Sequence, residues 1–428
     1  MSLPDLSKMT IGFYDHGLFH HMAERMRPDF KEVLYYCPWK SGFPDYKKAI
    51  VGTRMSDITR VEEFAEHKAE IKESGGFIVF PDAGDGSDAQ DLRDQGFKVV
   101  STASADILEY DREFMKKILK KVGLPVLPYE MVQGWKNLLK CLELMESKGE
   151  EGFIKISGFR AVTETFKFTT LNKAMPHLYK IGFKLASYAP EMWFMIERAQ
   201  EGIEPGSDQF LCLGEPLDSG VYGWEVKGRG YSGQVRAFSK MPEPMRIVDQ
   251  KLIPFLKKRG ASGLSSMESR IGKDLIAHPI DYCGRAGTPS SEVNIRNCKN
   301  FSHVMWGMAN GERVKPEWYA EYVSEIILHS DVLTDNHVPV SFPDKVSKYV
   351  ALRNAWKDKT GQIWCLDMDG GTMVGAACGW GKTKEESQEM ALDVARQIDC
   401  PRLDYDDQVF VKCNKSLKEA EKWGLGGF

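Results

Sequence analysis

The first hundred residues alternate short apolar segments with amphipathic ones, and this alternation constrains the fold more than any other feature of the chain. The segments TIGFY, EVLYYC, FIVF and KVVS predict strands, and GLFHHMAERM and AQDLRDQG predict helices between them. Strands that alternate with helices indicate βαβ units and a parallel sheet. Residues 1 to about 105 are therefore predicted to form a doubly wound α/β domain.

The rest of the chain predicts mixed α and β structure in at least two further parts. An amphipathic helix precedes Gly123, GFIKIS and TETFKF predict a hairpin, and MWFMIERA predicts a buried strand. Near the C-terminus, Thr383 and Glu386 have the spacing of a helix capping box. The segment from Ser330 to Asp344 has the composition of a linker, so residues 336–428 are predicted to form a small C-terminal α/β domain.

Charge and composition exclude several classes of protein. The 57 Lys and Arg residues against 61 Asp and Glu give a net charge of -4, which leaves no overall positive field for a nucleic-acid backbone. No apolar run reaches the roughly 20 residues of a membrane-spanning helix, and the N-terminus lacks the apolar core of a signal peptide. The nine cysteines are scattered without a C-x-x-C pair, which is typical of reduced thiols. The expected location is the cytoplasm.

Two carboxylates fall on a second predicted hairpin, formed by SSMESRI and LIAHPIDYC. Glu268 and Asp281 would lie on adjacent strands, where they repel each other unless a cation lies between them. Two carboxylates completed by phosphate oxygens are a ligand set that Mg²⁺ prefers. The alternative is that both are ordinary solvent-facing strand residues.

Two other segments carry candidate nucleotide contacts. Lys155 stands among apolar residues at a predicted strand end, before the turn Ser157 to Arg160, and could reach phosphate oxygens, although an edge-strand lysine is the simpler interpretation. The strand WFMIER runs into the acidic segment QEGIEPGSD, where backbone groups can bind an adenine edge and a carboxylate can accept from ribose hydroxyls. Taken alone, this segment is a strand that enters an acidic loop.

The strand with Lys155, the strand WFMIER and the hairpin with Glu268 and Asp281, in that order along the chain, resemble the ATP-grasp superfamily. With the segment DREFMKKILKKVGLPVLPYEMV and the small C-terminal domain, the chain looks like the phosphoribosylamine-glycine ligase branch, and its layout is also similar to ligase-like proteins of viruses that infect bacteria. The resemblance implies a pre-ATP-grasp domain over residues 1–105, an ATP-grasp domain over 106–335 with lobes at about 106–190 and 191–335, and a C-terminal domain over 336–428. It implies ATP and Mg²⁺ as cofactors.

The resemblance also assigns roles to residues. Arg112 and Lys155 match the cations that contact phosphate, Glu197 and Ala199 match hinge positions that face adenine, and Glu204 is the candidate ribose contact. Glu268 and Asp281 match the paired Mg²⁺ carboxylates, and Arg285 matches the arginine that steadies the acyl phosphate, with Lys155 as the second catalytic residue. The full nucleotide-binding set is Arg112, Lys155, Ser157, Gly158, Glu197, Arg198, Ala199, Glu204 and Lys227.

The chain departs from the family pattern at one metal position. The family has Glu-x-Asn-x-Arg where this chain has Asp281, Tyr282, Cys283, Gly284 and Arg285, and a cysteine is a poor Mg²⁺ ligand. The later run Glu292-Val293-Asn294 spells the same motif, but Pro289 and Ser290 predict a helix start there. Glu292 is therefore expected to act as a capping or substrate-side residue, with a metal role in reserve.

The expected activity is an ATP-dependent carboxylate-amine ligase, which forms an amide through an acyl phosphate from small-molecule or peptide substrates. The flexible tip Ser157 to Arg160 would close over the phosphates. Two alternatives stay open. A carboxylase or kinase-like ATP-grasp enzyme would use the same ATP site, and a binding protein without turnover would fit the departure at Cys283.

Overall fold

The structure is a computed structural model that describes residues 3–38, 51–156, 165–334, 337–366 and 371–426. Its internal contacts divide the chain into two compact units. Unit 1 comprises Met1–Asp106, Pro205–Met267 and Cys283–Phe428, and unit 2 comprises Ile107–Glu204 and Glu268–Tyr282. The predicted boundary near residue 105 coincides with the end of a unit 1 segment, whereas the predicted boundary near residue 335 lies within unit 1.

The strands alternate with helices early in the chain and dominate its middle. They are β1 (Thr10–Tyr14), β2 (Glu32–Tyr36), β3 (Thr59–Arg60), β4 (Ile78–Val79), β5 (Val99–Val100), β6 (Tyr129–Gln133), β7 (Gly152–Ile156), β8 (Thr165–Phe168), β9 (Trp193–Arg198), β10 (Gly206–Cys212), β11 (Glu215–Pro216), β12 (Ser219–Val226), β13 (Gly230–Ala237), β14 (Gly263–Ile271), β15 (Ala277–Cys283), β16 (Tyr322–Ser330), β17 (Val338–Val340), β18 (Val350–Leu352), β19 (Ala355–Lys357), β20 (Ile363–Cys365), β21 (Met373–Gly381) and β22 (Leu403–Asp404). Strand β14 begins in unit 1 and ends in unit 2.

The α-helices are short to medium in length. They are α1 (His20–Met26), α2 (Lys68–Glu73), α3 (Gly86–Asp94), α4 (Ile107–Tyr110), α5 (Arg112–Lys121), α6 (Trp135–Ser147), α7 (Leu171–Leu185), α8 (Glu243–Lys258), α9 (Ser291–Asn297), α10 (Phe301–Asn310), α11 (Lys384–Ala395) and α12 (Val409–Lys422). Within the described ranges, none of them combines the length and the apolar character needed to cross a lipid bilayer.

The N-terminal part of unit 1 is a parallel sheet with strand order β3-β2-β1-β4-β5, which confirms the predicted α/β fold. Alternate strand residues pack on opposite faces because the side-chain period of a strand is two. On one face Ile11 and Phe13 pack with Met22 of α1, and on the other face Ile78 packs with Leu92 of α3. Helices therefore cover both faces, as a doubly wound sheet requires.

The second sheet of unit 1 contains strands from the middle and the end of the chain, in the order β14-β10-β12-β13-β16-β21-β18. Strand β21 pairs antiparallel with β16 from Tyr322↔Gly381 to His329↔Met373. This long ladder explains why residues 337–426 belong to unit 1, although the sequence predicts a separate C-terminal domain. The predicted capping box of Thr383 and Glu386 is present at the start of α11.

Unit 2 is built around a four-stranded sheet with the order β6-β9-β7-β8. Strand β9 is central and pairs antiparallel with both β6 and β7, and the predicted hairpin of β7 and β8 is confirmed. Helices α6 and α7 supply Leu138, Leu142 and Leu178 to its core. The strands β14 and β15 are neighbours, as predicted for the hairpin that carries Glu268 and Asp281.

Candidate functional site

Helix α5 presents two buried cations on one face. Asp111 caps the helix by accepting a 2.8 Å hydrogen bond from the Phe114 N–H, so Arg112 begins the first turn. Lys116 follows four residues later and therefore lies on the same face. Arg112 is 7% exposed and Lys116 is 1% exposed. Arg112 is predicted from the sequence and Lys116 is not, although its spacing of four residues from Arg112 indicates a shared helix face.

Two buried lysines of unit 2 form ion pairs with one carboxylate, that of Glu197 in the central strand β9. Lys155 Nζ lies 2.9 Å from Glu197 Oε2, and Lys116 Nζ pairs with Glu197 Oε1. Burial acts to raise the pKa of Glu197, but the charges of Lys155 and Lys116 outweigh it and hold that pKa below its ordinary value. Burial also lowers the pKa of Lys116 to about 8. The carboxylate is thus the counter-charge that allows two ammonium groups to be buried.

The same cations hold the strand that carries Asp281. Lys155 Nζ donates to the Ile280 carbonyl at 2.7 Å, and Lys116 Nζ donates to the Pro279 carbonyl at 3.3 Å. Arg112 Nη1 lies 3.3 Å from Asp281 Oδ1, and its Nε donates to the Ile156 carbonyl at 3.3 Å. The structure therefore brings together four residues singled out from the sequence, namely Arg112, Lys155, Glu197 and Asp281, in one cluster of buried charges.

The two proposed metal ligands, Glu268 and Asp281, suit a cation that takes most of its ligands from water and substrate. Glu268 and Asp281 lie on neighbouring strands and both are half-buried. In the described ranges, no group of three or more His, Cys, Asp or Glu side chains is arranged to hold a metal ion. Two carboxylates alone suit Mg²⁺, which keeps several waters and binds substrate phosphates.

The predicted hinge residues already have protein partners. Arg198 forms an ion pair with Glu150, and the Ala199 N–H donates to the Glu151 carbonyl at 3.3 Å. Glu204 forms an ion pair with Arg270. Their assignment to adenine and ribose stays a prediction, and the Glu197 side chain, at 2% exposed, has the lysines as its neighbours instead.

The structure places two further predicted residues in unit 1. Lys227 is exposed in the turn between β12 and β13 of unit 1. Arg285 is also in unit 1, and its Nε lies 3.6 Å from Asp82 Oδ1. Ser157 and Gly158, with the predicted closing tip up to Arg160, fall outside the described residues.

Glu292 lies on a helix, α9, as the sequence predicts, and it is fully buried. Arg353 forms an ion pair with it, and Thr288 Oγ1 donates to it at 3.0 Å. Nearby Glu325 accepts a 2.9 Å hydrogen bond from the Val293 N–H, and burial, with the charge of Glu292, raises its pKa well above the ordinary value. Arg353 and Glu325, both missed from the sequence, make this a buried charge cluster of unit 1.

Comparison with solved structures shows that known proteins share the fold of this chain. No protein-family model matches the chain. Phosphoribosylamine-glycine ligase from Thermotoga maritima is similar with a TM-score of 0.69 and 16% identity, over 93% of this chain and 99% of that one. The MgADP-bound biotin carboxylase domain of Hydrogenobacter thermophilus 2-oxoglutarate carboxylase has a TM-score of 0.64 and 9% identity, over 97% and 99% of the two chains. The ADP-bound N5-carboxyaminoimidazole synthetase from Staphylococcus aureus has a TM-score of 0.55 and 13% identity, over 92% and 99%. The chain has the fold of these ATP-grasp enzymes, as its sequence predicts.

Proposed function

We propose that the protein is an ATP-dependent ligase that joins a carboxylate to an amine. A carboxylate oxygen attacks the γ-phosphorus of ATP and ADP leaves, which gives an acyl phosphate. The amine nitrogen then attacks the acyl carbon, phosphate leaves, and an amide remains. The observation that carries the proposal is the buried cation cluster of Arg112, Lys116 and Lys155 in a chain with this fold.

The chain contributes positioning and charge to this reaction. An ammonium group has three N–H donors, and Glu197 and the Ile280 carbonyl account for two of those on Lys155. Within the described ranges the third has no further protein acceptor, and it is proposed to donate to a phosphate oxygen. Buried cations favour an anion, and Arg112 and Lys155 are fixed by their protein partners before the anion arrives. Arg285 is proposed to steady the acyl phosphate.

Glu268 and Asp281 are the residues that would hold Mg²⁺. When bound with ATP, the ion offsets the negative charge of the phosphates. Arg112 Nη1, 3.3 Å from Asp281 Oδ1, would orient that carboxylate.

The direct test is an incubation of the protein with ATP, Mg²⁺ and pooled amino acids, with ADP and phosphate both measured. Ligation predicts that release of both products depends on an added carboxylate and an amine. Hydroxylamine in place of the amine should trap the acyl phosphate as a hydroxamate, which forms a coloured iron complex. Absence of hydroxamate and of amine-dependent phosphate release would contradict the proposal.

Substitution of Lys155 by Met should reduce ATP turnover by about a hundredfold, since the substitution removes a charge-assisted contact to the transferred phosphoryl group. The matched control is Lys167→Met, on the adjacent strand β8, because Lys167 is half exposed and pairs with Glu151 at 2.7 Å. Steady-state rates and circular dichroism of both variants provide the measurement. Equal rates in two folded variants would remove Lys155 from the site.

A carboxylase is the second candidate, and the similarity to a biotin carboxylase domain and to N5-carboxyaminoimidazole synthetase favours it. Such an enzyme would use bicarbonate as the carboxylate that attacks ATP. Release of ADP that requires bicarbonate and no other carboxylate would support this candidate over the ligase. Tight ATP binding without release of ADP under either condition would instead favour a binding protein.

A further inference from the structure

Exposed aromatic side chains are concentrated near one end of helix α7 in unit 2. Among the described residues, five aromatic side chains are exposed: Tyr179, Phe183, Tyr188, Trp193 and Tyr319. Tyr179 and Phe183 belong to α7 and are 68% and 88% exposed, and Tyr188 follows in the turn after the helix at 70%. Single exposed apolar residues are ordinary, whereas a cluster of large ones marks a surface that binds a partner.

Helix α7 has apolar side chains on two sides. Leu178, Ile181 and Leu185 are buried in the core of unit 2. Tyr179 and Phe183 are four residues apart, so they share a face, and their exposure shows that this face meets solvent. A surface helix normally has one apolar face, which packs on the core, and polar residues opposite it. The core of unit 2 therefore does not account for Tyr179 and Phe183, which we call the aromatic face of α7.

Trp193 does not belong to the aromatic face, although it is near in sequence. It begins strand β9, in which Phe194 and Ile196 point into the core that α6 and α7 cover. Since alternate residues of a strand point to opposite faces of the sheet, Trp193 points away from these helices.

Lysines lie beside the aromatic face. Helix α7 contains three lysines and no Asp or Glu. Lys180 is three residues before Phe183 and therefore its neighbour on the helix surface, and Lys173 lies on the same side of the helix, two turns earlier. Both lysines are exposed. The solvent side of α7 therefore presents aromatic rings next to positive charge.

Helix α6 adds positive charge at the same end of α7. The two helices are antiparallel: a Cβ atom added to Gly182 would lie 3.2 Å from the ring of Trp135 at the start of α6, and the Leu171 N–H at the start of α7 donates to Glu146 at 2.9 Å. The first half of α6 has two exposed lysines, Lys136 and Lys140. Both glutamates of α6 are in its second half, away from the aromatic face.

We propose that the aromatic face of α7 binds the surface of a membrane that contains anionic lipids. Tyrosine and phenylalanine rings suit the boundary between lipid headgroups and acyl chains. Lysines bind the anionic headgroups through their ammonium groups, while their stems cover apolar surface. The helix would lie on the membrane and would not cross it. This binding goes beyond the proposed ligase activity and does not depend on it.

The type of cation favours a lipid surface over other partners. Residues 135–147 and 171–193 contain lysines but no arginine. Protein interfaces are enriched in arginine and depleted of lysine, and the guanidinium is the group that stacks on bases and holds phosphates of nucleic acids in a bidentate manner. A second copy of the chain, paired through this face, would place lysines against lysines.

The test is co-sedimentation of the full chain with lipid vesicles, either of phosphatidylcholine alone or with about a third phosphatidylglycerol. The anionic vesicles should bind the protein at least about tenfold more tightly. Salt at about 0.5 M should remove most of this difference, because it screens exposed charges. Absence of binding to the anionic vesicles would overturn the proposal. Displacement of the protein from these vesicles by single-stranded polyuridylate would assign the face to nucleic acid and would also overturn it.

A double substitution locates the binding on α7. Tyr179→Ser with Phe183→Ser removes two exposed rings, so it should weaken binding to the anionic vesicles by about tenfold or more without disturbing the core. The matched control is Tyr319→Ser, which removes an exposed aromatic ring from unit 1 and should retain the binding of the parent. Equal binding by the double variant and the control, both folded by circular dichroism, would overturn the assignment to α7.

A second pair of variants tests the contribution of charge. Lys173→Glu with Lys180→Glu should abolish the preference for phosphatidylglycerol. Lys240→Glu with Lys258→Glu changes two exposed lysines of unit 1, makes the same change in net charge, and should retain the preference. Loss of the preference in both pairs would assign it to the net charge of the whole chain and would overturn the role of α7.

Discussion

Asn in place of Asp281 should lower the ATP-dependent turnover by about a hundredfold or more, the scale of losing one preorganised electrostatic group in an active site. The substitution keeps the shape of the side chain and removes one of the two proposed Mg²⁺ carboxylates. It also removes the negative charge that pairs with Arg112, whose Nη1 lies 3.3 Å from Asp281 Oδ1. The measurement is the rate of ADP release over a range of Mg²⁺ concentrations, in which the half-maximal concentration should rise.

The same hairpin offers a matched control for this substitution. Asp274 is exposed in the connection between β14 and β15, where Oδ1 accepts a 3.1 Å hydrogen bond from the Ile276 N–H. Asp274→Asn makes the same chemical change and should leave turnover and Mg²⁺ dependence unchanged. If Asp281→Asn behaves like this control, while Glu292→Gln shifts the Mg²⁺ dependence, the metal belongs to Glu292 and Asn294 and the hairpin assignment is wrong.

Glu197→Gln should destabilise the protein by about 3–5 kcal/mol, the typical cost of breaking a buried ion pair from one side. The two ammonium groups of Lys116 and Lys155 would stay buried without their counter-charge. Denaturation by urea, monitored by circular dichroism, provides the measurement. Glu130→Gln is the control, because Glu130 is exposed on the neighbouring strand β6, and its replacement should change the stability by less than about 0.5 kcal/mol.

The pH dependence of the Glu197→Gln variant follows from Lys116. Burial lowers the pKa of Lys116 from 10.5 to about 8 in the parent, and Glu197 is the main group that raises it, so the pKa falls further in the variant. Between the folded and unfolded pKa values the unfolded chain binds more protons, so stability rises with pH. The variant should therefore regain stability between pH 7 and pH 9.

A second substitution checks that the lysine is the cause. Lys116→Met in the Glu197→Gln background removes the buried charge while keeping the length of the side chain, so it should restore much of the lost stability and abolish the gain at pH 9. A double variant as unstable as Glu197→Gln alone would contradict this account of the cluster. Full stability of Glu197→Gln at pH 7 would contradict it more directly.

Features that depend on nearby residues could be predicted from the sequence. The alternating segments of the first hundred residues predict the parallel sheet. Its strands and helices are recognised from local patterns of apolar residues, with periods of two and 3.6 residues respectively. The capping box of Thr383 and Glu386, and the helix that carries Glu292, are likewise fixed within a few residues of chain. The order of the lysine, hinge and carboxylate strands was enough to indicate the ATP-grasp fold.

Features that depend on pairing between distant segments could not be predicted from the sequence. The spacing of four residues places Lys116 on the same face of α5 as Arg112, but only its contacts with Glu197 and Pro279 show that it is buried. The ladder between β16 and β21 joins the C-terminal segment to unit 1, where the sequence predicts a boundary. The sequence by itself determined the local elements and the types of residue available for chemistry. Only the tertiary structure decided which buried charges share a partner, because the cost of burying a charged group depends on neighbours that the chain order does not specify.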